Sequence, residues 1–536
     1  MPTLHWIGKD KVINHHMDVP FKVLEHSYGF DNGMQTEQET KSGNKIIHGD
    51  NLEALKALLP EYEGRIKCIY IDPPYNTGNE GWIYNDNVND QKIKKWLGKV
   101  VGKEFEDLSR HDKWLCMMYP RLKLLHKLLS IDGAIFVSCD DNEQANLKII
   151  CDEIWGAGNF INNIIWQKKF SPQNDAKYFS DNHDFIVCYA KSKSNWKRNL
   201  LLRTQEQDAR YKNLDNDPRG VWASSDFTVK TYSVDYDYPI TTPSGRVVNP
   251  TDGRCWMTSK DKLKVLIDDN RIWFGKKGDG VPRIKKFLSE VQEGTVPLTI
   301  WLHSEVGHNQ SAKQELKKIF PEQSSPFETP KPSSLIERIL QIATTSNDII
   351  LDSYAGSGTT AHSVLNSNSI DGANRKYILI QVDETNKKGD FVNIAETITA
   401  ERVKRVIKGY GTYEGTGGSF DFYELGQPLF LEDCNLNELV GVEKIRQYIY
   451  YTETKTPLSK KKHNDNKQFL GTHNDTAYYF HYEENEVTTL DHAFLATMKT
   501  KSEQYVIYAD NCLLAMNFRI KHNIIFKKIP RDITRF

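Results

Sequence analysis

The chain has 536 residues, of which 39% are hydrophobic and 11% aromatic, so we expect two or three domains with ordinary apolar cores. A formal net charge of −1 excludes a chain that is basic throughout and leaves nucleic-acid binding to local patches. No apolar run approaches the roughly 20 residues of a membrane span, and the first residues lack a signal-peptide core. The eight cysteines are scattered without metal-ligand spacing, which predicts reduced thiols, no metal site and a cytoplasmic location.

The N-terminal extension, residues 1–43, ends in an exposed linker. Residues 44–50 form a short apolar strand, and residues 51–59 form a helix with leucines on one face. A second apolar strand over 68–71 completes a βαβ unit.

The motif Asp72-Pro73-Pro74-Tyr75 ends this second strand. Neither proline can donate a hydrogen bond to a neighbouring strand, and each biases the preceding residue towards extended geometry. The motif therefore predicts a stiff loop with a carboxylate and an aromatic ring, at the strand end where open α/β sheets bind ligands. Taken alone, it is explained equally well by a simple turn.

The chain continues to alternate between helices and strands up to residue 166. Residues 112–129 have helical periodicity, although we expect Pro120 to kink or split the helix. Residues 134–138 predict a strand and residues 143–155 a further helix. This alternation over residues 44–166 indicates one half of a mostly parallel sheet.

Residues 167–327 have a different pattern, with many turn signals and with aromatic and basic residues intermixed. Residues 260–290 contain nine basic and five acidic side chains. A solvated surface explains such an excess of charge unless other features point to DNA.

The alternating pattern returns in residues 328–410. It predicts a helix over 333–343, a strand over 348–352, a glycine-rich loop over 353–360 that leads into a helix, and a strand over 377–383. A Gly/Thr-rich boundary then precedes residues 411–536, which predict a smaller α+β domain for oligomerisation or partner binding.

A glycine loop between a strand and a helix favours a nucleotide-like ligand, because glycines allow close approach and the helix start presents N–H groups. The spacing of Gly356, Gly358 and Ala361, with Asp383 further on, fits the dinucleotide fingerprint, so an NAD(P)-dependent oxidoreductase is an alternative. Asp352, however, would repel a pyrophosphate and attract a cationic group. S-adenosylmethionine carries an ammonium and a sulfonium, and its ribose and adenine could use Asp50, Gln381 or Asp383.

The Pro-Pro loop in turn suits a flat acceptor with an exocyclic amine. Asp72 and the Pro73 carbonyl can accept its two N–H bonds, and Tyr75 can stack on the ring. Catalysis would then consist of orientation and charge placement. A target atom inside a duplex requires the base to be flipped out.

The two motifs, in this order, resemble the β-class amino-methyltransferases of DNA. Flanking segments resemble the modification (Mod) subunit of type III restriction–modification systems; they are residues 48–55, 84–87, 393–396 with Arg402, and the tail from 435–438 to 529–532. This resemblance implies a Rossmann-like S-adenosylmethionine-dependent methyltransferase sheet with an inserted target-recognition region over 167–327 and a C-terminal α+β domain. It also implies N6-adenine as the methylated group, because Asp72 rather than Ser begins the Pro-Pro motif.

The resemblance also assigns the site residues. Asp72, Pro73, Pro74 and Tyr75 would form the catalytic loop. The cofactor would be held by Asp50, Lys331, Pro332, Ser333, Asp352, Tyr354, Gly356, Gly358, Thr359, Thr360, Gln381 and Asp383. Tyr354 replaces a commoner Phe, and Gln381 stands where many relatives have a ribose-binding Glu, which makes Asp383 a candidate substitute.

The resemblance favours DNA contact for the basic residues of the middle region. The candidate phosphate contacts are Lys168, Lys169, Lys276, Lys277, Arg283 and Lys285. The expected partners are double-stranded DNA, a second copy in a homodimer, and a type III restriction (Res) subunit. A DNA-binding assembly subunit with an impaired site remains a further alternative.

Overall fold

The computed structural model describes residues 3–77, 110–291, 293–385, 391–433, 435–459, 465–484, 486–530 and 532–534. Segment 84–87, which contributes to the family resemblance, lies outside these residues. Within the described chain, no helix is long and apolar enough to cross a membrane.

The helices are numbered in chain order. They are α1 Lys9–Val12, α2 His15–Asp18, α3 Asn51–Tyr62, α4 Arg110–Leu128, α5 Gln144–Trp155, α6 Gln205–Asp208, α7 Lys260–Asp268, α8 His303–Val306, α9 Asn309–Ile319, α10 Ser333–Ala343, α11 Thr359–Asp371, α12 Glu401–Lys408, α13 Val442–Thr454, α14 His492–Thr497 and α15 Met516–Lys521.

The strands are numbered in the same way. The first are β1 Lys22–Asp31, β2 Met34–Thr36, β3 Lys45–His48, β4 Ile66–Ile71, β5 Leu129–Cys139, β6 Phe160–Gln167, β7 His183–Ala190, β8 Trp222–Asp226, β9 Thr228–Val229, β10 Ile240–Thr241, β11 Val247–Val248, β12 Cys255–Trp256, β13 Ile272–Trp273 and β14 Arg283–Phe287. The remainder are β15 Ile300–Trp301, β16 Ile349–Asp352, β17 Lys376–Gln381, β18 Glu384–Thr385, β19 Phe391–Val392, β20 Gly409–Tyr410, β21 Tyr413–Glu414, β22 Ser419–Pro428, β23 Phe469–His473, β24 Thr476–Phe480, β25 Thr489–Leu490, β26 Gln504–Ala509, β27 Asn511–Cys512 and β28 Ile524–Lys528.

One eleven-stranded sheet organises the larger part of the chain, with the order β15-β6-β7-β5-β4-β16-β17-β3-β22-β1-β2. Its six central strands, β5 to β22, are all parallel. Strands β16 and β17 lie between β4 and β3, so the two predicted halves of the methyltransferase domain interleave in one sheet. The predicted Rossmann-like fold is confirmed.

The hydrophobic pattern explains the central strands. The side chains of Ile69, Ile71, Leu351 and Ile380 are completely buried, as expected for parallel strands covered by helices on both faces. Helix α3 covers the sheet with its leucines, and α10 runs over the predicted residues 333–343.

One prediction about secondary structure is wrong in part and another is wrong. Helix α4 continues through Pro120, so the predicted split does not occur; burial of its long apolar face outweighs one lost backbone hydrogen bond. Alternation was also expected to cease after residue 166, yet β7 belongs to the main sheet and pairs antiparallel with both β5 and β6.

Residues 200–297 form a separate compact unit. It contains the three-stranded sheet β13-β14-β8 and a small apolar core that includes Phe227, Trp256 and Phe274. Helix α7 adds Leu263 to this core.

The C-terminal region contains a four-stranded sheet of order β23-β24-β26-β28. Helix α13 packs on it through Ile445, Tyr448 and Ile449, whose core cluster also includes Phe21 and Val23 of the N-terminal region. The larger compact unit therefore comprises residues 1–199 together with 298–536.

Candidate active site

The two motifs found in the sequence lie at adjacent strand ends. Cys68 and Ile69 of β4 pair with Ile350 and Leu351 of β16 in parallel register. Asp72 follows β4 directly, and Asp352 is the last residue of β16. Both carboxylates therefore lie at the carboxyl edge of the sheet, where open α/β folds bind ligands.

The Pro-Pro loop is anchored from two sides. The indole Nε1 of Trp114, on α4, donates a 2.7 Å hydrogen bond to the carbonyl of Pro74. The side-chain amide of Asn76 donates to Glu143, which is fully buried and also lies 2.7 Å from His111 Nδ1. These contacts hold the loop backbone in place next to the strand end.

Asp72 has one oxygen in an ion pair and one without a partner. Its Oδ2 contacts the ammonium of Lys331, while its Oδ1 is buried without a hydrogen-bond partner in the part of the chain that the structure describes. The hydroxyl of Tyr75 is likewise buried and unpartnered there. The Lys331 ammonium also lies 5.1 Å from the Tyr75 ring centroid and 6.0 Å from that of Trp166.

The charges around this loop are closely coupled. Burial, followed by the nearby Asp72 charge, raises the pKa of Tyr75 well above its usual value, so Tyr75 is a neutral hydroxyl. Burial also raises the pKa of Asp184, against the opposing effect of Lys168, which pairs with it at 2.5 Å. The site thus combines carboxylates and ammoniums in a buried setting.

The glycine loop over residues 353–358 is organised by Asp352. Its carboxylate accepts from the Tyr354 N–H at 3.0 Å and from the Thr360 hydroxyl at 2.5 Å. Burial raises its pKa to about 7. Gly356 has φ +51°, and an added Cβ there would lie 3.0 Å from the Phe327 ring, so a side chain would be both strained and crowded.

Several predicted cofactor ligands also have structural contacts. The Gln381 Oε1 accepts the Gly356 N–H at 2.7 Å, so Gln381 supports the glycine loop. Asp383 contacts His48 Nε2 at 2.8 Å. Asp50 is the N-cap of α3 and lies 3.2 Å from Arg121.

The segment before α10 connects the two loops. The Lys331 carbonyl accepts a hydrogen bond from the Thr359 hydroxyl at 3.2 Å, although the Lys331 side chain reaches Asp72. Pro332 is the N-cap of α10. The Ser333 hydroxyl donates to Glu315 at 2.5 Å.

Residues 66–389 match the DNA methylase family of N6 and N4 methylases. The match covers both loops and most of the central sheet. The chain belongs to the DNA methylase family.

Within this family the chain is similar to the Mod subunits of type III restriction–modification enzymes. It is 35% identical to the StyLTI Mod subunit of Salmonella typhimurium, over 69% of this chain and 58% of that protein. It is 30% identical to the EcoP15I Mod subunit of Escherichia coli, over 76% of this chain and 69% of that protein. The chain therefore spans 58–69% of the length of these two relatives.

Solved structures in the comparison include the PvuII DNA methyltransferase, which is cytosine-N4-specific. It is 14% identical in sequence to this chain. The match covers 67% of this chain and 86% of the PvuII enzyme, with a TM-score of 0.34. The complex of M1.HpyAVI with S-adenosylmethionine gives 15% identity over 67% of this chain and 98% of the other, with a TM-score of 0.31.

The predicted cofactor, S-adenosylmethionine, is confirmed at the level of the family. The donor and acceptor set at the glycine loop fits such a molecule. The Ser353 hydroxyl is buried without a partner among the described residues, and the Asp352 carboxylate lies at the start of the loop. A ligand with an ammonium and several hydroxyls would satisfy such groups.

The predicted DNA contacts differ in solvent exposure and in whether they already form ion pairs. Lys276, Lys277 and Arg283 are exposed within the 200–297 unit. Lys285 is fully buried and pairs with Asp215 and with Asp217. It is therefore a structural charge, held away from any phosphate by its two carboxylate partners.

The same distinction applies near the active site, where Lys168 is paired with the buried Asp184 and Lys169 is not in a salt bridge within the described chain. We therefore retain Lys169 and not Lys168 as a phosphate contact.

Sequence reasoning missed some residues of the site. Trp114, Glu143 and Phe327 support the two loops, but they are far from the motifs in sequence and carry no motif of their own. Asn76 immediately follows the Pro-Pro motif, and its polar side chain at the end of a buried strand was an available signal.

Proposed function

We propose that this chain transfers a methyl group from S-adenosylmethionine to N6 of an adenine in double-stranded DNA, as the modification subunit of a type III restriction–modification system. The observation that carries the proposal is the pair of buried, unpartnered atoms Asp72 Oδ1 and Tyr75 OH, beside the glycine loop. A buried polar atom without a partner is costly unless a ligand satisfies it.

Asp72 suits the amine of adenine. Its free Oδ1 and the Pro73 carbonyl would accept the two N6–H bonds, which directs the nitrogen lone pair out of the ring plane. The cofactor supplies the electrophilic methyl group. Transfer of that methyl group would leave S-adenosylhomocysteine, and Asp72 would accept the N6 proton that the methylated amine gives up. Tyr75, neutral at physiological pH, would stack on the base.

Lys331 can keep its contact with Asp72 Oδ2 as the base enters, because the amine would bind the other oxygen, Oδ1. Its ammonium lies against Asp72 and the Tyr75 ring, so it neutralises the charge of the Asp72 carboxylate in the absence of substrate. The incoming amine would then add a hydrogen bond to the second oxygen of the same carboxylate.

We infer that the cofactor lies along the glycine loop. Asp352 would hold its ammonium, and the backbone around Gly356 and Gly358 would permit close approach. The further proposed contacts are Asp50, Lys331, Pro332, Ser333, Tyr354, Thr359, Thr360, Gln381 and Asp383. Of these, Asp383 remains the candidate for the ribose, since Gln381 already bonds the loop.

The alternatives are less favoured. An NAD(P)-dependent oxidoreductase has no use for the Asp72 and Tyr75 pair, and the family match speaks against it. An impaired assembly subunit was suggested by Gln381, but that side chain bonds the Gly356 N–H and so maintains the loop.

We further propose double-stranded DNA contact through Lys169, Lys276, Lys277 and Arg283, with the domain boundaries predicted from the sequence. A homodimer, a Res subunit as partner and a cytoplasmic location belong to the same proposal. Light scattering of the purified chain, alone and with the Res subunit, tests the assembly.

The direct test is transfer of a tritiated methyl group from the cofactor to plasmid DNA. Wild-type protein should label the DNA, and Asp72→Ala should reduce labelling to background. Ile370→Ala, an exposed change on α11, serves as the control. Full activity in Asp72→Ala would remove the role assigned to that residue.

A further inference from the structure

The loop over residues 168–182, which we call the β6–β7 loop, leaves the same edge of the sheet as the active site. Strand β6 is antiparallel to β7, which is antiparallel to β5, and β5 is parallel to β4. Strand β6 therefore runs in the same direction as β4, and the two strands end at the carboxyl edge. Trp166, near the end of β6, is also the ring beside Lys331.

The β6–β7 loop exposes large aromatic side chains. Phe179 is 91% exposed and Tyr178 is 81% exposed. Phe179 is the most exposed large hydrophobic residue in the described part of the chain. Adjacent exposed aromatics are unusual on a soluble surface and indicate a contact with a partner.

These rings are presented by an anchored backbone. Lys168 pairs with the buried Asp184 at 2.5 Å. The Lys169 N–H donates to the Asn182 carbonyl at 3.2 Å, and the Gln173 N–H donates to the Ser180 hydroxyl at 2.8 Å. These contacts join the two sides of the loop below its tip. They restrict its backbone before binding, which reduces the conformational entropy lost when the loop binds a partner.

A positively charged cleft of about 500 Å³ lies beside the loop. Its lining includes Lys169, Lys313 and one acidic residue, Glu328, so basic side chains are in excess. Pro330, also in the lining, precedes the lysine that contacts Asp72. Neither Lys169 nor Lys313 is in a salt bridge within the described residues. Free ammonium groups beside exposed rings match a nucleic acid, which offers phosphates and base faces together.

We propose that the β6–β7 loop is a stacking wedge for DNA, in which Phe179, supported by Tyr178, occupies the gap left when the target adenine leaves the duplex. Removing a base from the stack costs stacking and pairing energy. An apolar side chain inserted at that step replaces part of the lost stacking. The inference rests on the proposed function, because only an extruded base creates the gap.

The test requires the methylated sequence, which base-resolved sequencing of DNA from expressing cells provides. A duplex with this sequence and 2-aminopurine at the target position reports extrusion by fluorescence, in the presence of S-adenosylhomocysteine. Phe179→Ala should reduce the fluorescence increase on this duplex by roughly 5- to 150-fold, the effect of losing one base–aromatic stack. It should reduce kcat/KM to a similar extent, measured with S-adenosylmethionine on the same duplex with adenine at the target position. Phe179→Trp should retain both.

A second substrate separates the wedge from general DNA affinity. A mismatched target pair lowers the cost of extrusion, so Phe179→Ala should recover to within about threefold of wild type on that duplex. The control is Ile370→Ala, an 83% exposed residue near the end of α11, a helix that begins at the carboxyl edge. Ile370→Ala should match wild type on both duplexes.

The outcomes are distinguishable. An equal loss of activity on paired and mismatched duplexes, or no loss on either, overturns the wedge. A change from dimer to monomer in Phe179→Ala, seen by sedimentation, would assign the rings to a protein interface and also overturns it. If wild-type protein methylates neither duplex, the proposed function itself fails.

Discussion

At the scale of single residues, the contact between Lys331 and Asp72 changes the roles that can be assigned to both side chains. The family resemblance places the lysine among the cofactor ligands, but its ammonium lies against the Asp72 carboxylate and near the Tyr75 ring. Because the ammonium contacts Oδ2 and Oδ1 is free, the carboxylate can hold the lysine and accept an amine at the same time. The pair should therefore couple energetically.

A double-mutant cycle measures that coupling. Asp72→Asn and Lys331→Met should each lower the free energy of unfolding, and the double variant should lose less than the sum. We expect an interaction energy on the order of 1–3 kcal/mol, as for contacting charged groups. Thermal and urea unfolding provide the values, and simple additivity would contradict the contact.

Asp352 predicts a pH dependence of cofactor binding. Burial raises its pKa to about 7, so in the free protein the carboxyl is mostly neutral at pH 6 and mostly ionised at pH 7.5. Affinity for S-adenosylhomocysteine should rise about eightfold over this range, because only the ionised form attracts the ammonium. Calorimetry on wild type and Asp352→Asn tests this, and a similar rise in the variant would exclude Asp352 as the cause.

At the scale of elements, helix α4 holds the Pro-Pro loop through the hydrogen bond from Trp114 to the Pro74 carbonyl. Trp114→Phe removes that bond, so kcat should fall by roughly five- to tenfold, which corresponds to about 1 kcal/mol. KM for the cofactor should be unchanged, since the glycine loop is held separately.

The matched control is Trp155→Phe on α5. Trp155 is also buried, but its indole N–H has no hydrogen-bond partner in the described chain. The control loses similar volume without releasing the loop, so its kcat should remain near that of wild type. Equal effects in the two variants would mean that packing alone is being measured.

The sequence allowed prediction of those features that depend on local pattern. The apolar strands before Asp72 and after Asp348, the leucine face of α3 and the bounds of α10 all follow from periodicity. The continuation of α4 through Pro120 could not be predicted in this way, because burial of a long apolar helix face outweighs the local tendency of proline to end a helix. Gln381 and Lys331 have contacts made by residues distant in sequence, which no local pattern specifies.

At the scale of the whole molecule, the number of basic residues in a segment does not show how many of them lie on the surface. In the 200–297 unit, Lys276 and Lys277 are exposed, whereas Lys285 is buried between Asp215 and Asp217. The basic excess seen in the sequence therefore contains both surface and structural charges.

Salt dependence of DNA binding separates the two kinds. Replacing Lys276 and Lys277 by Ala should reduce the magnitude of the slope of log K against log salt by about 2. Each phosphate contact that is lost means about one counterion fewer released when the protein binds DNA. Lys285→Met should leave the slope unchanged and lower the free energy of unfolding by about 1.5–3 kcal/mol, because Asp215 and Asp217 lose a charged hydrogen-bond donor while Asp217 keeps its ion pair with Arg219. An unchanged slope in the double variant would exclude those two contacts.

The most direct test of the central claim is nucleoside mass spectrometry of DNA methylated by the purified protein. Wild-type protein should produce N6-methyladenine, and Asp72→Ala should produce none above background. N4-methylcytosine in place of N6-methyladenine, or undiminished methylation by Asp72→Ala, would contradict the roles assigned to the Pro-Pro loop.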